Sequence, residues 1–175
     1  RVLAPDNDTA KAIADRFSYG PGWPDRGAVP FTSATKWSAV NFLDRGAYVI
    51  GAPEYVLGQD FAALEKRTAP YAQQGCRVLL LAQCDGAEIG HLHGVVIPLA
   101  LLVLENPIRP NAPKVFDYFH TQGVAVKVIS GDNPVTVSAV AAQAGIQDAD
   151  RWIDARELKT DHDIAKAVRE YTVFG

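Results

Sequence analysis

The spacing of hydrophobic positions changes character near residue 106. Before it, apolar residues alternate in short runs broken by turns; after it, helical and strand-like spacings follow one another. After Asp6, Asn7 and Asp8, the residues Ala10, Ile13, Ala14 and Phe17 fall on one helical face, which predicts an amphipathic helix over residues 9–17, with Asp8 as its cap. Residues 19–24, rich in Gly and Pro, end it. Residues 29–42 predict two strands joined by a turn near 33–36, followed by a strand ending at Gly51 and a helix with Pro53 in its first turn. Phe61, Leu64, Thr68, Tyr71 and Ala72 share a helical face closed by Gly75. A buried strand over 77–82, a turn at Gly86 and a strand-like run over 95–104 complete this part.

The second part opens with a helix whose Ala112, Val115, Phe116 and Phe119 share one face. Val124, Val126, Val128 and Ile129 predict a short strand buried on both faces, as in a parallel sheet. Ser130, Gly131, Asp132 and Asn133 form a polar turn, and Pro134 stands where a first helical residue belongs. Asp132 or Asn133 is the expected cap, Val137, Val140, Ala141 and Ala144 the inward stripe, and Gly145 the stop. An acid-capped helix over 161–170 and a strand from Tyr171 follow. The expected fold class is therefore α/β. Residues 1–105 form an antiparallel sheet flanked by helices, and residues 106–175 form an incomplete parallel α/β unit.

Composition narrows the function classes. The 175 residues are 48% hydrophobic and 21% charged, ordinary for a globular chain, and the net charge of −3 comes without a basic cluster, which argues against nucleic acid as a partner. The longest apolar run, residues 94–104, contains Pro98 and is too short to span a bilayer as a helix. Cys76 and Cys84 suggest neither a disulfide framework nor a zinc site. With no signal peptide and no Met, the chain reads as a segment of a longer protein.

Candidate chemistry gathers at a few places. A strand, a Ser-Gly-Asp turn and a capped helix are the arrangement with which α/β folds bind anions. Phe31 and Lys36 stand in an F-x4-K spacing, in which a ring can stack on a base and an ammonium can meet phosphate, although core packing and solvation are the ordinary roles of Phe and Lys. Arg77 opens a buried strand. His91 and His93 share a strand face but lack a third ligand, so no metal site is expected.

Together these stretches resemble the P-type cation-transporting ATPases. Residues 130–133, S-G-D-N followed by a helix, resemble a segment of that family's phosphorylation domain, and F-x4-K followed by G-A-P-E at 51–54 resembles its nucleotide-binding domain. Arg77-Val-Leu79 is similar to its R-x-L. Asn106-Pro-Ile-Arg109 is similar to the D-P-x-R hinge between the two domains, with Asn106 in place of Asp. The resemblance implies ATP binding by Asp8 (in the place of a Glu that contacts adenine), Phe31 (stacked on adenine), Lys36 (near the triphosphate), Gly51 and Ala52 (close backbone approach), Arg77 and Leu79. Ile50 stands where the family usually has a Lys. It further implies that Ser130 and Gly131 contact the transferring phosphoryl group and that Asp132 fixes their loop, within the cytoplasmic part of a membrane ATPase using Mg²⁺ and the remainder of its own polypeptide. No D-K-T-G-T stretch, which carries the family's phosphorylated Asp, occurs in these residues, so the chain by itself is expected to bind ATP without turning it over. Two other readings stand beside this one: a haloacid-dehalogenase-like phosphatase, which would need its own nucleophilic Asp, and a stand-alone nucleotide-binding module.

Overall fold

The structure, a computed structural model, describes residues 7–17, 20, 22–105 and 107–175. The chain divides into two units. One comprises Arg1–Glu65 with Val78–Leu104, the other Lys66–Arg77 with Glu105–Gly175.

In the first unit, β1 (Asp25–Val29), β2 (Trp37–Phe42), β3 (Gly46–Gly51) and β4 (Arg77–Cys84) pair antiparallel in that order, and an edge strand, β7 (Ile97–Leu104), lies beside β4. The register sets Trp37 beside Gly51 and Gly51 beside Leu80, then Ala39 beside Val49 and Val49 beside Ala82. These residues form the core face, and Ala39, Val49 and Ala82 are inaccessible to solvent. Helix α2 (Pro53–Leu57) brings Tyr55, Val56 and Leu57 onto that face, and Leu64 of α3 (Ala62–Gln73) joins them. A small hairpin, β5 (Gly86–Glu88) with β6 (His91–His93), adds Ala87 and Leu92. Asn41 ties the hairpin to the sheet: its amide nitrogen donates to the Ala87 carbonyl (2.9 Å) and its amide oxygen accepts from the Ala87 N–H (2.8 Å). Both cysteines are buried and free, and burial pushes the Cys84 thiol pKa up, which keeps it neutral in the core.

The first helix, α1 (Asp8–Arg16), departs from expectation in two ways. Asn7, not Asp8, is the cap; its side chain accepts from the Ala10 N–H at 2.9 Å, and Asp8 sits inside the first turn. The apolar stripe is not buried, and Phe17 is exposed with the Arg16 guanidinium over its ring.

In the second unit, β8 (Val128–Ile129), β9 (Trp152–Ile153) and β10 (Val173–Phe174) form a parallel sheet in the order β8-β10-β9. Helix α4 (Ala112–Thr121) precedes β8, α5 (Pro134–Gln143) follows it, and α6 (Asp161–Glu170) precedes β10. Val137, Ala141, Ala149 and Val173 form the core, with Val128 and Ile146 against it. The strand predicted over 124–129 is shorter and more exposed than its β-branched sequence suggests. Only Val128 and Ile129 enter the ladder, and Ile129 is 83% exposed. The reason is position: β8 is an edge strand of this small sheet, pairing with β10 on one side. At the helix, Asn133 rather than Asp132 is the cap, accepting from the Val135 N–H at 3.0 Å. Gly145, at φ +84°, closes α5: its N–H and that of Ile146 reach back to the Ala142 and Ala141 carbonyls.

Two carboxylates at helix starts make this unit acid-sensitive. Asp154 accepts from the Arg156 side chain at 2.6–3.0 Å, and this guanidinium holds its carboxyl below the usual range. Asp163 is lowered in the same direction by the Thr160 hydroxyl in a reciprocal capping box. A carboxylate with a depressed folded pKa contributes stability that is present above its unfolded pKa, about 4, and is lost as pH falls through the folded value. Asp154→Asn should therefore lower the melting temperature near neutral pH and converge with the unsubstituted chain only once pH has fallen below the depressed folded value. Melting curves across that range check this, and a constant offset at all pH values contradicts it.

Candidate functional site

The turn between β1 and β2 is built by its own side chains. The Lys36 N–H donates to the Thr32 carbonyl at 2.9 Å, the Thr35 N–H donates to the Thr32 hydroxyl at 3.0 Å, and the two threonine hydroxyls lie 2.8 Å apart. Lys36 adopts φ +58°. Left-handed backbone costs an L-residue roughly 1–2 kcal/mol, and Asp, the type at the other two such non-glycine positions described (Asp44 and Asp148), tolerates it better than Lys. Phe31, at the entrance to this turn, is 56% exposed, so core packing does not explain it.

The turn is locked to the end of β3. The Ala52 N–H donates to the Lys36 carbonyl at 3.0 Å, and a Cβ added at Gly51 would overlap the Trp37 Cβ and press on the Lys36 carbonyl. Glycine at 51 is thus required by Trp37, which is buried, independently of any ligand. Lys36, Gly51 and Ala52 are brought together in this way. On the face of the sheet away from the core, Ser38 pairs with Ile50 and Ile50 with Leu81; Leu79 projects to the same side two residues earlier. All four are half-buried. The same face continues into a ring cluster of Trp23, Phe42 and Tyr48, with centroids 5.6–5.7 Å apart and the Arg45 guanidinium 4.2 Å above Trp23.

Other sequence-predicted residues lie apart from this group. Asp8 is fully exposed and pairs with Lys11 at 3.4 Å. Arg77, the first residue of β4, belongs to the second unit, where its guanidinium pairs with the Asp132 carboxylate. A partly exposed pair of this kind contributes on the order of 1 kcal/mol or less. Two further bonds fasten the stretch before Arg77 to α5: Gln143 Nε2 donates to the Gln74 carbonyl (2.9 Å) and the Thr136 hydroxyl donates to the Cys76 carbonyl (3.5 Å). Ser130 and Gly131 complete the turn: the Ser130 N–H donates to the Phe174 carbonyl (2.9 Å), and the Ser130 hydroxyl accepts from the Asp132 N–H (3.2 Å). Arg109 is exposed and its carbonyl caps the start of α4, while Asn106 lies outside the described residues. A cavity of about 460 Å³ lined by Gln74, Gly75, Cys76, Glu105, Pro107, Ile108 and Gln143 had no sequence signal. Thr32, Thr35 and Trp37, which hold the Lys36 turn, were not singled out either; the T-x-x-T spacing was the available sign. Among the described residues, no group of three His, Cys, Asp or Glu could hold a metal ion, and no helix is long and apolar enough to cross a membrane.

No family model matches the chain. Similarity to individual proteins decides the matter. Over 173 residues the chain is 46% identical to a calcium-transporting ATPase, CtpE, of Mycobacterium tuberculosis, covering 97% of this chain and 21% of that protein. It is 43% identical over 171 residues to the CtpE of Mycolicibacterium smegmatis, and 38% identical over 174 residues to the probable cation-transporting ATPase exp7 of Streptococcus pneumoniae. These cover 97% of this chain and 21% and 22% of the two relatives. The chain belongs to the P-type cation-transporting ATPases. It spans about a fifth of the length of these curated relatives.

The fit at Gly51 yields a test of the geometry. Gly51→Ala should destabilise this ATPase segment by about 1–3 kcal/mol, as overpacking of a filled core does. Urea unfolding measures the change, and a neutral substitution would show that β3 and the Lys36 turn are not in contact.

Proposed function

We propose that this chain is the ATP-binding part of a P-type ATPase, a pump that couples ATP hydrolysis, through an aspartyl-phosphate, to cation transport. The reading rests above all on Phe31: a large ring held in solvent at the mouth of a turn that also fixes Lys36, next to an apolar outer face containing Ile50 and Leu79. Phe31 stacks on adenine, Leu79 and Ile50 line the base site, and the Lys36 ammonium meets the phosphates. Gly51 and Ala52 permit close backbone approach, and Asp8 reaches the adenine amino group from α1. Ser130 and Gly131 present a hydroxyl and an N–H to the transferring phosphoryl group, with Asp132 bracing the turn and Arg77 serving either Asp132 or the nucleotide. Phosphoryl transfer depends mostly on positioning and charge neutralisation, which is what such groups supply. Asn106 and Arg109 form the hinge between the nucleotide-binding residues, 1–105, and the phosphorylation-domain residues, 106–175, on the cytoplasmic side of the membrane. The described residues supply no three-ligand cluster for Mg²⁺, so no metal-dependent step is assigned to them. Calcium, the cation for which the mycobacterial relatives are named, is the first cargo to test.

Titration of the 175-residue chain with ATP and adenosine, followed by NMR, tests the pocket. Phe31→Ala should weaken both ligands by about 1–3 kcal/mol, the range for a base stacked on an aromatic ring. Lys36→Ala should weaken ATP and leave adenosine alone. Unchanged binding in Phe31→Ala, with the fold intact, defeats the assignment.

For the second site, Ser130→Ala in the full-length ATPase should slow phosphoenzyme formation or breakdown. Because Asn133 is the cap of α5, the same change should leave the melting temperature of the 175-residue chain nearly unchanged. A destabilised chain together with a normally cycling pump would show that Ser130 is merely structural.

A further inference from the structure

We propose that Thr32 and Thr35 are positioning residues for Lys36, acting through a one-way chain of hydrogen bonds around the turn. The inference rests on the nucleotide reading of residues 31–36 and adds to it a reason why Lys36 holds its conformation.

The chain of bonds has a single consistent proton order. The Thr35 N–H donates to the Thr32 hydroxyl (3.0 Å). The Thr35 hydroxyl donates to the Trp37 carbonyl (3.4 Å), which uses its one proton. The 2.8 Å contact between the two hydroxyls must then run from Thr32 to Thr35. Thr32 accepts once and donates once; Thr35 does the same. The last bond bridges from residue 35 to residue 37, across Lys36. It closes over the one residue in the turn with a left-handed φ (+58°). On the other side the Lys36 carbonyl is held by the Ala52 N–H. Lysine lacks the short side chain with which Asp or Asn can bond its own backbone in this conformation. The surroundings therefore impose it, and backbone held this way marks a place where side-chain direction matters. Release of the chain of bonds lets Lys36 relax toward ordinary φ, and its ammonium leaves the phosphate position while Phe31 keeps the base.

Thr35→Val keeps the β-branched shape and deletes the hydroxyl. Titrated with ATP and with adenosine, the 175-residue chain carrying this change should bind ATP at least about fivefold more weakly, because the hydroxyl's two hydrogen bonds are lost, and adenosine unchanged. Thr35→Ser should restore ATP binding. On a Lys36→Ala background, Thr35→Val should add no further loss, because the group it positions is gone. A merely structural role would instead weaken both ligands and persist on that background. Thr32→Val breaks the chain from its other end and takes the place of Thr35→Val if that variant does not fold. If Lys36→Ala weakens ATP and neither threonine variant does, the positioning role is overturned and the site stands. If Lys36→Ala has no effect, the site reading falls and the positioning role with it.

Discussion

The apposition of Trp37 and Gly51 is the constraint on which the first unit depends. These residues are register partners on β2 and β3, and Leu80 of β4 is the next partner in the same row. A Cβ at position 51 has nowhere to go, so the indole can settle fully onto the core face and is almost inaccessible. That single fit has consequences on both sides. It fixes where β2 begins, hence where the preceding turn must stop, and it fixes where β3 ends, hence where Ala52 offers its N–H to Lys36. Two stretches, one ending in Lys36 and Trp37 and the other in Gly51 and Ala52, become one surface because a missing side chain on one strand admits a large one on the other.

The second unit is organised by α5. Its N-terminus carries the Ser-Gly-Asp turn, capped by Asn133, and its body reaches the loop after α3 through Thr136 and Gln143. Gly75 packs against Val140 and Gln143. The Arg77–Asp132 pair is the third fastening, and it is partly exposed. Solvent screening limits what this pair contributes, so α5 does not depend on it alone. Side-chain-to-backbone bonds, packing at Gly75 and an ion pair thus hold α5 along one seam.

Much of the fold was legible because its signals are local. Pro134 at a helix start, Gly145 at its stop, Pro53 after Gly51 and the alternation through residues 37–51 each carry their meaning within a few residues. Burial was less legible, because it depends on neighbours that a periodicity does not name. The β-branched run before Ser130 looks like an interior strand, yet Ile129 lies at a sheet edge. The stripe of α1 looks like a core face and is exposed. At the candidate site, Phe31 and Lys36 could be picked out as residue types able to hold a nucleotide. What holds them could not. The threonine hydroxyls matter through the direction of their protons around a left-handed residue, and neither direction nor φ is written in a spacing. The Arg77–Asp132 contact joins residues that the resemblance assigns to different domains, so it lay outside what motif reading could offer.

On the proposed nucleotide reading, the distribution of charge in the first unit has a consequence for how affinity is divided. Ile50 stands where the family usually has a Lys, so of the residues assigned to ATP in that unit Lys36 is the one cation. Its half-buried site is neither bulk water nor dry interior. Two unit charges about 4 Å apart at an effective dielectric near 20 attract by about 4 kcal/mol before desolvation and side-chain ordering are charged against it, which leaves a small net gain. Salt with a Debye length of about 8–10 Å reduces it further. The ring of Phe31 and the apolar wall of Ile50 and Leu79 do not answer to salt in this way. The base is therefore held by a contribution nearly independent of ionic strength, and the phosphates by one that fades with it. On this reading the preference of the first unit for ATP over adenosine rests on Lys36 and fades with salt, while its hold on the base does not.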